Sequence, residues 1–213
     1  MSNNEMLIFS AIVTSVEKKI IGRVANMTSR GRQNSIEILL YYVSIAGGGH
    51  HLEIGTLFGG SAIPIAILKK GAEHSGLVFC IDPLNGYYRE KLGRNDVNDP
   101  HGGGEPITPE TLFNNINLFG VGDRVCVIRA NSTKCPLFGD IRFSTAYIDG
   151  NHWDGVPLKD WLYVKDLVTD FVIFDNCDEG HPDVMHACKV AIDDPEWECV
   201  YNEKITCVLE RRG

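Results

Sequence analysis

Short apolar runs of strand length alternate along this chain with longer segments of helical periodicity, and that alternation restricts the fold more than any other feature. "HHLEIG" (50–55), "GLVFCID" (76–82), "RVCVIRA" (124–130), "STAYIDG" (144–150) and "DFVIFDN" (170–176) read as buried strands. Between and after them, "SAIPIAILKKGA", "TPETLFNNINLFG", "VPLKDWLYVKDL" and "PDVMHACKVAIDD" read as helices, the second with Thr108 as N-cap, Pro109 at the first helical position and Gly120 at its end. Two more helices open the chain, from Asn4 to about Val24 and along "NSIEILLYYVSIA" after an Asn34/Ser35 cap. "WECVYNEKITCVLERR" reads as a terminal hairpin turning at Asn202 and Glu203. The expected fold is α/β: a doubly wound, mostly parallel seven-stranded sheet with helices on both faces and an antiparallel C-terminal hairpin. Ligands in such sheets bind at the carboxyl ends of the strands, where strand order reverses.

The chain's 213 residues suffice for one sizeable core, and no linker divides them. A single domain is expected over 1–213, with N-terminal helices in 1–46 and a cofactor-binding core in 50–213. No apolar run reaches membrane-span length, and the N-terminus lacks a basic region before its apolar segment, which argues against a signal peptide. A cytoplasmic protein without membrane contact follows as the expectation. The net charge of -8, with no basic run, argues against nucleic acid and for a small-molecule partner. Seven cysteines without a CxxC pair read as reduced core residues, with Cys80, Cys126 and Cys207 inside apolar strands.

The residues just past each strand carry the chemistry. "EIGTLFGGS" (53–61) places Gly55, Gly59 and Gly60 between a strand and a helix, where backbone can approach a ligand and helix N–H groups lie beyond. It is neither a GxGxxG fingerprint nor a phosphate-binding P-loop. Asp82 ends the next strand, where a carboxylate can accept hydrogen bonds from the two hydroxyls of a ribose. A strand-end turn acid before Pro83 is the plainer alternative.

Together, "HLEIGTLFGGSA", "FCIDPL", "TLFNNINLFGVGDRVCVIRANS", "AYIDGNHWDGVPLKDW" and "FVIFDN" resemble a class I S-adenosylmethionine-dependent methyltransferase, in the small-molecule group with an IDG-x-H segment (methyltransferase family 24 type). The likeness runs from about Ser35 to the C-terminus and implies a Rossmann-like fold. It further implies that Glu53, Gly55, Thr56, Gly59 and Ser61 line the methionine and ribose part of the cofactor, that Asp82 holds the ribose hydroxyls, and that Asn131 and Ser132 flank the adenine. The chain departs from the family at "LVTD" (167–170), where a Pro-Gly-Gly turn commonly precedes the fifth strand.

Asp149 and Asp175 each end a strand, and Asn176 follows the second; adjacent strands would bring two carboxylates and an amide together. Oxygen ligands of this kind suit Mg2+ or another divalent cation, and the set resembles catechol-type O-methyltransferases, in which such residues hold magnesium against the acceptor hydroxyls. The alternative is that Asp149 only contacts the cofactor and Asp175 caps a loop. His152 lies three residues beyond Asp149, and an imidazole can accept a hydroxyl proton near neutral pH. It can equally orient the loop. His181 is a second candidate base, and Trp153 either walls the substrate or starts a helix.

The 83–107 segment is lid-like in length, and its tyrosines, Arg89, Lys91, Arg94 and His101 stand as candidates to close over an acceptor. The N-terminal helices are candidates for a homodimer contact. The expected activity is methyl transfer to a hydroxyl of a small molecule, with metal assistance, catalytic His152 and Asp149, and Asp149 touching both cofactor and metal. The competing readings are an S-adenosylmethionine- or nucleotide-binding protein without methyl transfer, and a nicotinamide-dependent oxidoreductase.

Overall fold

The computed structural model describes residues 1–20, 30–87, 106–135 and 138–213. The proposed lid residues Arg89, Lys91, Arg94 and His101 lie outside these described residues. The chain opens with α1 (Asn3–Lys19) and α2 (Arg30–Ile45). Ser2 caps α1 with a capping box: Glu5 N–H donates to Ser2 Oγ (3.3 Å), and Ser2 N–H donates to Glu5 Oε2 (2.7 Å). The expected cap at Asn34/Ser35 is corrected, because both residues lie inside α2. Ser35 is instead buried and hydrogen-bonded to Thr206 (2.8 Å), so a polar residue that reads as a cap serves a tertiary contact.

The core follows as β1 (His50–Ile54), α3 (Ala62–Gly71), β2 (Val78–Ile81), β3 (Gly86–Tyr87), β4 (Pro106–Ile107), α4 (Pro109–Leu118), β5 (Val125–Ile128), β6 (Phe143–Ile148), α5 (Val156–Val164), β7 (Val168–Phe174), α6 (Pro182–Ile192), β8 (Trp197–Glu203) and β9 (Thr206–Arg211). Thr108 caps α4 as expected, accepting from Thr111 N–H, with Pro109 in the first turn. The main sheet has seven strands in the order β5-β2-β1-β6-β7-β9-β8, and β3 pairs with β4 as a short separate ribbon. β5, β2, β1, β6 and β7 are parallel, and β9 runs antiparallel between β7 and β8. The order reverses at β1, which lies between β2 and β6, so the switch point falls where the glycine-rich turn leaves the sheet.

Alternate residues of the central strands face opposite cores. Tyr147 and Ile173 join a cluster with Phe9, Leu40, Ile63 and Leu112 beneath α1 to α4. Leu52, Ala146, Val172 and Phe174 join Trp161 and Trp197 beneath α5, α6 and the hairpin. In this second core the Trp161 and Trp197 rings meet edge-on at 5.4 Å, with Phe174 at 6.0 Å from Trp161.

Three other expectations shift. The hairpin turns at Lys204 and Ile205, because Glu203 pairs with Thr206 and Asn202 with Cys207. Cys177 N–H donates to Ile205 O (2.8 Å), which anchors that turn to the end of β7. "LVTD" is no turn: Val168 already pairs with Phe143, and the reversal is made by residues 165–167. Arg211 fixes it by donating to the Lys165 and Val168 carbonyls (2.9 Å each), doing with a side chain what a Pro-Gly-Gly turn does with backbone geometry. Lastly, not all cysteines are thiols: Cys177 and Cys188 form a disulfide, while Cys80, Cys126, Cys135, Cys199 and Cys207 remain free. Spacing alone carried no sign of this pair, which forms because α6 folds back beside the end of β7. No described helix is long and apolar enough to cross a membrane.

Trp161→Ala should cost roughly 3–5 kcal/mol of stability in urea denaturation, because it empties the second core. Leu162→Ala, at a position 52% exposed, should stay within about 0.5 kcal/mol. Equal losses for the two would contradict this assignment of the core.

Candidate active site

Ladder bonds extended past the strands bring the candidate residues together at one end of the sheet. Gly55 N–H donates to Ile81 O (3.0 Å), Asp82 N–H to Ile128 O (3.2 Å), Asp149 N–H to Ile54 O (3.0 Å) and Asp175 N–H to Ile148 O (3.2 Å). Each strand end is thus pinned to its neighbour, and Glu53, Gly55, Asp82, Asp149 and Asp175 share one rim.

The turn after β1 is packed more tightly than any side chain at Gly55 would permit. Its φ is +85°, and a Cβ there would overlap the Asp149 carbonyl and Gly150. Gly59, at φ +89°, would press a Cβ against Ile63 and Leu112. Asp82 then organises the turn, its Oδ2 accepting from Thr56 N–H (2.9 Å) and Leu57 N–H (3.0 Å) and its Oδ1 from Leu84 N–H (2.8 Å). Leu57 and Leu84 both have φ +47°, and Asp154 (+61°) and Asn176 (+59°) add further left-handed residues on the same rim. Such strain persists where surrounding bonds over-determine it and gathers at functional sites. Asn115 secures the far side of the turn by donating to Phe58 O (2.9 Å).

Glu53 sits under this turn, fully buried, with neither carboxyl oxygen in a hydrogen bond. Burial pushes its pKa up to about 8; the nearby Thr56 and Ser61 hydroxyls temper the shift, and Asp149 and Asp82 add to it. The two hydroxyls approach the carboxyl without reaching hydrogen-bond geometry. Burying a carboxyl with so little compensation is costly, and strongly perturbed acids of this kind cluster at functional sites. Thr56 and Ser61 are themselves buried, 3% and 6% exposed.

On the β5 side, Asn131 is exposed and its side chain caps the short 3-10 turn Ser132–Lys134 by accepting from Thr133 N–H (3.0 Å). Behind Ser132 stands Asp160 of α5, which sequence reasoning missed. It is 1% exposed, burial raises its pKa to about 7 with Ser132 opposing the shift, and its Oδ2 lies 3.5 Å from where a Cβ of Gly150 would stand. The available signal was an acid on the core-facing stripe of a helix, between Pro157 and Trp161.

On the β6 and β7 side, His152 is buried and its Nε2 lies 3.3 Å from Asp149 Oδ1. Ile148 pairs with Phe174, so Asp149 and Asp175 follow on neighbouring strands, with Asn176 next to Asp175. His181 joins this group: its ring meets that of His152 edge-on at 4.9 Å and that of Trp153 at 5.9 Å. Its Nδ1 is 2.9 Å from Asp178 Oδ1. Among the described residues no group of three or more His, Cys, Asp and Glu side chains is arranged to hold a metal ion.

No protein-family model matches the chain, and no curated protein matches it in sequence. Solved structures do. The chain is similar to the O-methyltransferase NovP at a TM-score of 0.74 with 13% identity, covering 98% of this chain and 100% of that one. It is also similar to the O-methyltransferase TomG from Streptomyces achromogenes, solved with S-adenosylmethionine, at 0.62 and 13% identity over 100% and 92% of the two chains. The O-methyltransferase from Bacillus cereus, solved with S-adenosylhomocysteine, matches at 0.60 and 15% identity, again over 100% and 92%.

Glu53 makes stability depend on pH. In the unfolded chain it titrates near 4.5 and in the fold near 8, so between these values the folded state keeps a proton that the unfolded state has lost. Its contribution is fully present below about pH 4.5 and is lost as pH rises through 8, a fall of order a few kcal/mol. Urea denaturation from pH 5 to 8 should show that fall, and Glu53→Gln should flatten it in part, leaving the share owed to Asp160. An unchanged slope in the variant would remove Glu53 as the cause. Gly55→Ala should cost at least about 2 kcal/mol, since its Cβ has nowhere to go.

Proposed function

We propose that this chain, which has the fold of the class I S-adenosylmethionine-dependent O-methyltransferases, binds S-adenosylmethionine at the turn after β1 and moves its methyl group to a hydroxyl of a small molecule. The observation that carries this reading is Glu53, an uncompensated buried carboxyl beneath a turn that only glycine can make, at the switch point of the sheet. Such a carboxyl matches a ligand that carries an ammonium group, and Gly55, Thr56, Gly59 and Ser61 leave backbone and hydroxyls beside it. Asp82 keeps one lone-pair site, on Oδ1, beyond its three backbone bonds for a ribose hydroxyl, and Asn131 and Ser132 border the adenine position, with Asp160 behind Ser132.

Bound S-adenosylmethionine supplies an electrophilic methyl group on a sulfonium. The chain's own part is to orient and to move a proton. Asp149 borders both the cofactor turn, through the Gly55 contact, and the acceptor side, through His152. His152, oriented by Asp149 Oδ1, takes the proton from the acceptor hydroxyl as the oxygen attacks. The acidic surface and lack of a basic run favour a small-molecule acceptor over nucleic acid or membrane, and the reading places a one-domain enzyme in the cytoplasm, with α1 and α2 as the candidate homodimer face.

Metal assistance is the less supported part of the proposal. Asp149, Asp175 and Asn176 would be the oxygen ligands, and Mg2+ or another divalent cation there would polarise the acceptor hydroxyl. Asp149 would then share its carboxylate between the ion and His152, whose Nε2 lies 3.3 Å from Asp149 Oδ1. A nicotinamide oxidoreductase fits less well, since "EIGTLFGG" lacks the dinucleotide fingerprint.

Saturating S-adenosylhomocysteine should raise the melting temperature by several degrees, and NAD should not. No shift with S-adenosylhomocysteine would overturn the proposal. His152→Ala should lower kcat by roughly 100-fold or more while S-adenosylhomocysteine affinity changes less than about threefold. Dialysis against EDTA followed by Mg2+ decides the metal question: recovery of activity only with Mg2+ would restore that ion to the mechanism.

A further inference from the structure

We infer that Asp160 is a positioning residue: it draws the Ser132 hydroxyl proton toward itself, so that the hydroxyl offers lone pairs to the amino group of a 6-aminopurine and repels a 6-oxopurine. This role depends on the methyl-transfer reading, which puts the purine beside Asn131 and Ser132. Of these two residues, Asn131 has already committed its side-chain acceptor. Its Oδ1 accepts from both Thr133 N–H (3.0 Å) and Thr133 Oγ1 (2.8 Å). The backbone carbonyls are engaged as well, Asn131 O by Lys134 N–H (2.9 Å) and Ser132 O by Cys135 N–H (3.2 Å). The Ser132 hydroxyl is then the group whose polarity can be set, because a hydroxyl donates once and accepts twice.

Asp160 can set it because of where α5 lies. The helix packs against the turn at 132–134, and Asp160 stands on its core-facing stripe with Pro157, Trp161 and Val164. The acid is buried, and neither carboxyl oxygen has a hydrogen-bond partner among the described residues. Its Oδ2 lies 3.5 Å from where a Cβ of Gly150 would stand, which places it between the end of β6 and the turn after β5. The Ser132 hydroxyl opposes the penalty of burying the carboxylate more than the charge of Lys159 does, approaching without reaching hydrogen-bond geometry. Stability gives no reason to keep an acid here, since a buried carboxyl without a bonded partner costs free energy that an apolar side chain would not. A two-step relay does give one. The carboxylate accepts the Ser132 O–H, and Ser132 Oγ accepts the purine's amino N–H. A 6-oxopurine presents an oxygen to the same lone pairs, and the hydroxyl cannot reverse without leaving the buried carboxylate unpaired.

The test compares two ligands of the intact protein by calorimetry at about pH 8, above the Asp160 pKa that burial raises to about 7. The ligands are S-adenosylhomocysteine and its 6-oxo analogue, S-inosylhomocysteine. The wild type should bind the first about 30-fold more tightly or better. In Asp160→Asn the amide can donate to Ser132 Oγ, the hydroxyl turns outward, and the preference should fall below about threefold. Ser132→Ala should show the same fall, and adding Asp160→Asn to it should lower the preference no further. Asp160→Ala takes the place of the amide if that variant does not fold, with the same fall expected. A wild type without preference, a further fall in the double variant, or a preference that Asp160→Asn keeps would overturn the role. Equal weakening of both ligands, which a merely structural acid would give, counts as a preference kept. No binding of S-adenosylhomocysteine by the wild type would overturn this role together with the methyl-transfer reading. Tight binding with the preference kept in the variant would remove Asp160 alone and leave that reading standing.

Discussion

The approach of the β1 turn to the end of β6, at Gly55 against Asp149 and Gly150, is the constraint on which the rest of the site depends. It closes the switch point so tightly that Glu53 is cut off from water and Asp149 is held beside the turn. Asp82 makes this arrangement sustainable, since one carboxylate accepts three backbone N–H groups and so supports two leucines in left-handed conformations. The cost of packing a carboxyl without partners under a strained turn is borne by the two cores that flank the sheet.

This organisation divides the rim in two. The β1, β2 and β5 side is rigid backbone and buried acid, suited to one fixed ligand. The β6 and β7 side is built of side chains on loops, with His152, Trp153 and His181 in ring contact and Asp178 behind them. The fold that carries this rim is one that O-methyltransferase structures share with the chain at identities of 13–15%. Similarity at that level shows the fold, and the assignment of chemistry rests on the residues at the rim.

Most of the sheet was legible in the sequence because strand and helix periods alternate without ambiguity, and the rim residues followed from topology once each strand end was placed. Where the reading slipped, tertiary contacts outweighed local signals. Ser35 reads as a cap but is used against Thr206; Asn202 and Glu203 read as a turn but remain in the ladder because Ile205 is tied to Cys177. Asp160 and the Cys177–Cys188 pair share one reason for escaping notice: each depends on α5 or α6 folding back over the strand ends, which no spacing in the sequence encodes.

The proposed function turns on Glu53 as a protonated acid that receives a cation, and counting protons on binding tests that role. Calorimetry of S-adenosylhomocysteine binding at pH 7, repeated in buffers of different ionisation enthalpy, measures the protons exchanged on binding. With the Glu53 pKa raised to about 8, the wild type should release close to one proton as the ligand's ammonium joins the carboxylate, and Glu53→Gln should release none. Binding with no proton release in the wild type, or with the same release in the variant, would contradict it.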